Sequence, residues 1–206
     1  MRKNYLLTPG PTPLPPQVCE AMSRPIIHHR TPQFQAVLKE ATEGLKYVFQ
    51  TKNDVFILAS SGTGAMEASV INLLSPGDTA LTIQGGKFGE RWTEICKAYG
   101  INTQILDVEW GKAVEPKEIE KKLKSNPQIK AVFTTLCETS TGVATDIEGI
   151  GKILKDSGAC LGLAYGPAKA GHGGNAAVSR YSDRERDLPR RAEGGGARGP
   201  AGNAHP

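Results

Sequence analysis

The sequence predicts an α/β fold built as a mainly parallel sheet with helices on both faces. Two observations carry that expectation. The short continuous apolar run at 54–59 has the character of a strand buried on both faces. Stretches with helical spacing stand between such runs in regular alternation, the pattern of a layered α/β domain.

The elements follow in order. Alternating prolines in residues 7–16 fix φ and favour an extended, polyproline-like arm that could lie across a partner subunit. Phe34, Val37, Leu38, Ala41, Leu45, Val48 and Phe49 share one face of a helix over 32–50, with Thr31 as its N-cap and Pro32 at the first helical position. Residues 54–59 read as a strand, 64–74 as a helix and 75–78 as a turn. Strand 79–84, helix 87–99 and strand 102–108 come next. Helix 115–125 carries Pro116 near its start and Glu118/Lys122 and Glu120/Lys124 pairs at i,i+4 spacing. Strand 130–136, helix 146–157 and a broken strand over 159–165 complete the series.

Composition divides the chain. The 206 residues carry a formal charge of +4, which would ordinarily suggest an anionic polymer as partner. Residues 1–166 hold 18 basic and 17 acidic side chains, whereas 167–206 hold 7 and 4. The latter segment has one Lys and six Arg, with eight Gly, eight Ala and only Val178, Tyr181 and Leu188 as larger apolar side chains. Such a segment cannot offset about 1–2 kcal/mol of backbone entropy per residue, so disorder is expected there. With four acids and Tyr181 alone for stacking, it is a poor nucleic-acid platform, and no nucleic-acid partner is expected. The Lys-to-Arg switch also has the look of a shifted reading frame; an intact frame on sequencing the locus around codons 158–170 would remove that idea. No apolar run approaches the roughly 20 residues of a membrane span and no leader pattern opens the chain, so a cytoplasmic protein is expected. Cys19, Cys96, Cys137 and Cys160 are far apart without a CxxC pair, which suggests neither a metal site nor a disulfide framework.

Chemistry is expected at the carboxyl ends of the strands, where open parallel sheets bind ligands. Ser60-Ser61-Gly62-Thr63-Gly64-Ala65 turns from a strand into a helix, aiming backbone N–H groups and hydroxyls at one spot suited to a phosphate. The same residues equally suit a plain strand-to-helix turn with a Ser cap. Cys137 to Val143 form a second hydroxyl-rich segment, read as a loop at a strand end, and Phe88 stands between glycines just past another. His28-His29-Arg30, lacking a carboxylate or Cys at ligand spacing, reads as an anion or interface contact rather than a metal site.

Taken in order, LLTPGPTPLPP, HHRTPQF, SSGTGAMEA, SPGDTAL, GKFGERW and CETSTGV resemble the class V aminotransferases, fold-type I enzymes that use pyridoxal 5′-phosphate (PLP), and within them the alanine–glyoxylate/serine–pyruvate branch. The resemblance covers about residues 4–163. It implies that Ser61, Gly62 and Thr63 hold the cofactor phosphate, that Phe88 stacks on the pyridine ring, and that Thr139, with Glu138 beside it, bonds the ring's phenolic oxygen. Pro9, Gly10 and Pro11 would line the substrate pocket at a homodimer interface. The reaction implied exchanges an amino group between alanine or serine and a 2-oxo acid such as glyoxylate or pyruvate. Cysteine desulfurases are a poorer match, since they place His where Phe88 stands.

Two residues central to that chemistry have no counterpart. The family's strand ending in an Asp that protonates the ring nitrogen falls on 160–165, where Ala164 occupies the Asp position. The Schiff-base lysine belongs to a later S-x-K segment, and Lys169 has neither that context nor that distance. The expected organisation is an arm over 1–30, an incomplete fold-type I large domain over 31–166 and a non-homologous tail over 167–206, inactive on its own. Two other readings stay open: a non-catalytic PLP- or phosphate-binding protein, and a relative in another role such as a soluble hydrogenase subunit.

Overall fold

The computed structural model of the chain describes residues 13–49 and 51–164. Helices α1 (Pro16–Met22), α2 (Pro32–Phe49) and α3 (Gly62–Leu73) precede strand β1 (Thr79–Gln84). Then come α4 (Lys87–Ala98), β2 (Asn102–Asp107), α5 (Pro116–Ser125), β3 (Ile129–Thr135), the short strands β4 (Cys137–Glu138) and β5 (Val143–Ala144), α6 (Ile147–Ser157) and β6 (Cys160–Ala164). Strands β2-β1-β3-β6 form one sheet in that order, with every pairing parallel. β4 and β5 make a separate antiparallel hairpin.

Strand residues alternate between two apolar layers, because successive side chains leave opposite faces of a pleated strand. Leu81, Ile83, Val132, Leu161 and Leu163 meet Ile119 and Leu123 of α5 and Ile150 and Leu154 of α6. Ala80, Ala131, Phe133 and Ala164 meet Met66 and Val70 of α3 and Trp92, Ile95 and Cys96 of α4. Helices therefore cover both faces, as expected. Phe133 stacks on Trp92 at 4.8 Å between centroids and lies over Gly162, where any Cβ would overlap its ring. A register shift at Thr79/Ala80 leaves Lys130 outside the ladder, and its ammonium pairs with Asp78. That hydrogen bond, with the Ser75 N–H, holds the Asp78 carboxyl below its ordinary range.

Three expectations are corrected. Residues 54–58 form no strand, and Phe56, Ile57 and Leu58 are exposed. An apolar run becomes a strand only by pairing, and none of the described strands offers it a ladder. The proline-rich opening gives way to helix at Pro16, whose missing N–H costs nothing in a first turn. The 137–143 segment is a hairpin rather than a loop, closed by Gly142 at φ 74°. The expectations for residues 1–12 and 167–206 lie outside the described residues. Among the described residues, no helix is long and apolar enough to cross a membrane. All four cysteines are free thiols.

Candidate active site

Both α3 and α4 start toward the carboxyl edge of the sheet. The chain enters β1 from α3 through 74–78 and enters β2 from α4 through 99–101, and the two turns are tied by Gly77 N–H donating to the Gly100 carbonyl at 2.8 Å. Both helices thus end at the amino edge and present their N-termini at the other.

At the start of α3, Ser61 is the N-cap, and its hydroxyl accepts from the Gly64 N–H at 3.4 Å. A Cβ at Gly64 would meet the Ser60 hydroxyl, which would have to turn away. The N–H groups of Gly62 and Thr63 fall in the first turn, whose donors have no partner within the helix. Ser61 and Thr63 are exposed. The turn combines orphan donors, two hydroxyls and the positive end of a 12-residue helix, which is chemistry for an anion.

Phe88 lies in the first turn of α4 with its side chain 45% exposed. Gly86, the N-cap, has no side chain to satisfy that turn. The work is done from 50 residues away. Glu138, only 4% exposed, accepts from Phe88 N–H and Gly89 N–H at 3.1 Å each through Oε2. Its Oε1 accepts from the Ser140 hydroxyl at 2.6 Å, and that hydroxyl in turn accepts from Lys87 N–H at 3.1 Å. The three orphan donors of α4 are thereby paired by two side chains of the β4–β5 hairpin.

Thr139, between those two side chains, is half-buried in the hairpin turn. Phe88 and the 138–141 turn are therefore joined directly, while Ser61, Gly62 and Thr63 are carried separately on α3 at the same edge. Ala164 ends β6 beside Thr135 and presents a methyl group where a carboxylate was sought. Pro9, Gly10 and Pro11 lie outside the described residues. His28 and His29 stack at 4.6 Å in an exposed turn before α2. Sequence reasoning placed Glu138 beside Thr139 but missed its pairing with α4. Gly85, Gly86 and Gly89 around Phe88 were the available sign, because Gly86 and Gly89 admit no Cβ against Glu138 and the Ile83 carbonyl respectively.

Comparisons with known proteins place the chain in a family. The family model described as aminotransferase class-V matches residues 4–164. A soluble hydrogenase 42 kDa subunit from Anabaena cylindrica is 45% identical over 161 residues, covering 77% of this chain and 42% of that one. The serine–glyoxylate aminotransferase of Hyphomicrobium methylovorum is 40% identical over 153 residues, covering 73% and 38%. In fold, the alanine–glyoxylate aminotransferase of Nostoc sp. superposes with a TM-score of 0.75 at 31% identity, over 79% of this chain and 43% of that one. The chain spans about two fifths of the length of the curated relatives it matches. Over that span, in sequence and in the order of its strands and helices, the chain belongs to the class V aminotransferases.

Proposed function

We propose that residues 31–166 are the cofactor-phosphate and ring-stacking part of a PLP-dependent aminotransferase large domain, preceded by an interface arm over 1–30 and followed by a separate segment over 167–206. The parent reaction on this reading is the exchange of an amino group between a small amino acid, alanine or serine, and a 2-oxo acid, glyoxylate or pyruvate. The observation that carries the reading is that one sheet edge bears both the α3 anion turn and an exposed aromatic residue whose N–H is held by Glu138, the neighbour of Thr139.

PLP, when bound, supplies an electron sink for chemistry at the substrate α-carbon. The chain's own residues hold and orient. Gly62 and Thr63 N–H groups and the Ser61 and Thr63 hydroxyls bind phosphate oxygens. Phe88 offers a ring face to the pyridine, and the Thr139 hydroxyl bonds the ring's phenolic oxygen. Ala164 supplies no charge to the ring nitrogen, and the family's lysine has no counterpart by position, so this chain alone performs no turnover. The intact family architecture is taken to be a homodimer with Pro9, Gly10 and Pro11 at the shared pocket.

Titration of PLP and inorganic phosphate into wild type and the Ser61→Ala/Thr63→Ala double variant tests the reading. Weakened binding of both ligands by about tenfold or more is expected, as charge-assisted hydrogen bonds are lost. Equal binding would remove it. Measurable transamination of alanine with glyoxylate by the purified chain would overturn the inactivity. A second reading, a role within a larger assembly, rests on the name of the Anabaena relative. Purification of the native protein as a lone species would count against it.

A further inference from the structure

We propose that Glu138 is a positioning residue, a clamp from the β4–β5 hairpin that fixes the Phe88 turn of α4 relative to Thr139. The inference rests on the reading above for what the turn would hold, and on geometry alone for the clamp itself. A helix start normally draws its cap from its own N-cap side chain, but Gly86 has none to give. Glu138 replaces it from across the edge, taking Phe88 N–H and Gly89 N–H at 3.1 Å on one oxygen and the Ser140 hydroxyl at 2.6 Å on the other. Ser140 completes the set by accepting from Lys87 N–H at 3.1 Å.

Two packing facts make the clamp stiff. A Cβ at Gly86 would overlap the Glu138 side chain, and one at Gly89 would overlap the Ile83 carbonyl. The α4 start is thus pressed against both the hairpin and the end of β1. Glu138 is 4% exposed, so water does not compete for its oxygens, and the positive end of α4 faces them. Since Thr139 lies between the two clamping residues, the hydrogen bonds that hold Phe88 also fix the turn that carries Thr139. Phe88 itself remains 45% exposed, which leaves ring surface to meet a flat ligand.

The test uses the full 206-residue chain as wild type, Glu138→Gln and Ser140→Ala. Amide hydrogen exchange is read at Lys87, Phe88 and Gly89, with β1 and β3 amides as the measure of folding. PLP and inorganic phosphate are titrated separately, and the circular dichroism of bound PLP reports how firmly its ring is held. For Glu138→Gln, exchange at 88 and 89 is expected to accelerate by about tenfold or more with β1 and β3 unchanged. Phosphate affinity should stay as in wild type while PLP affinity and its dichroic band fall. Ser140→Ala, which keeps the carboxyl, should loosen Lys87 more than Gly89. Unchanged exchange at 88 and 89 would overturn the clamp. So would equal loss of PLP and phosphate binding together with loosened β1 and β3, the mark of general unfolding. If Glu138→Gln does not fold, Ser140→Ala decides: no change at Lys87 overturns the proposal. A wild-type chain that binds neither ligand removes the cofactor reading, and the exchange comparison still judges the clamp.

Discussion

Residues 62–164 and residues 13–58 carry comparable apolar patterns and meet opposite fates. In the former, a four-stranded sheet and four helices put Leu81, Val132, Phe133, Trp92 and Ile150 at or below 2% exposure. In the latter, α1 and α2 bury no residue at all, Val37 and Val48 are more than half exposed, and Phe56 is 82% exposed. Helical periodicity is a local property, set by residues three and four apart, and it builds a helix wherever the spacing is right. Burial is a tertiary property and needs a facing surface. In α2 the stripe is only part-covered, with Phe34, Leu45 and Phe49 half-buried and Val37, Leu38 and Val48 exposed, whereas α4 and α6 each bury several residues of theirs.

The sharpest break between the regions is expected from Phe133→Ala. The ring fills the space between Trp92 and Gly162, and its removal should cost about 3–5 kcal/mol in urea unfolding. A loss below about 1 kcal/mol would mean that the layer of α3 and α4 is not packed as described.

A second effect comes from Cys96, buried in the same layer. Burial pushes its thiol from the ordinary 9.0 up to about 12. The unfolded chain releases the proton first, so the folded state binds more protons between those values. Stability is then full below pH 9 and falls as pH rises toward 12, by about 1.4 kcal/mol per pH unit at most. Alkaline unfolding of wild type against Cys96→Ala checks this, and the variant should lack that part of the slope. Alkylation should modify exposed Cys19 in the native state and reach Cys96 only after unfolding.

A smaller change is expected from Asp146→Ala. The Asp146 carboxyl caps α6 by accepting from Gly149 N–H at 2.9 Å, so its loss should cost about 1 kcal/mol. No measurable cost would show that water serves this helix end as well as the side chain does.

The division between the regions also explains what was legible in the sequence. Strands predicted over 79–84 and 102–108 appear as Thr79–Gln84 and Asn102–Asp107, and the helix expected over 87–99 runs Lys87–Ala98. Their patterns and their partners both lie within the described chain. The run 54–59 has the composition of a strand, but a ladder is made with a neighbour, and composition does not supply one. The β4–β5 hairpin escaped notice because each strand has only two residues, too few for a period to show. At the candidate site, the Ser61 cap was legible because a cap is made within four residues. The Glu138 pairing with Phe88 spans 50 positions and leaves no local trace except glycines that cannot bear a Cβ.

The smallest expected effect bears most directly on the contrast. Val37→Ser and Val48→Ser in α2 should each change stability by no more than about 0.5 kcal/mol, because both side chains stay more than half exposed when this chain folds and Ser and Val have similar helix propensity. Far-UV circular dichroism and urea midpoints of the two variants measure it. A cost of about 2 kcal/mol or more would reverse the contrast, since only a side chain withdrawn from water carries such a penalty when made polar. The α2 stripe would then be covered in solution. Repeating the measurement across protein concentrations would say by what: a cost that grows with concentration points to a second copy of the chain, and a constant one to residues of the same chain.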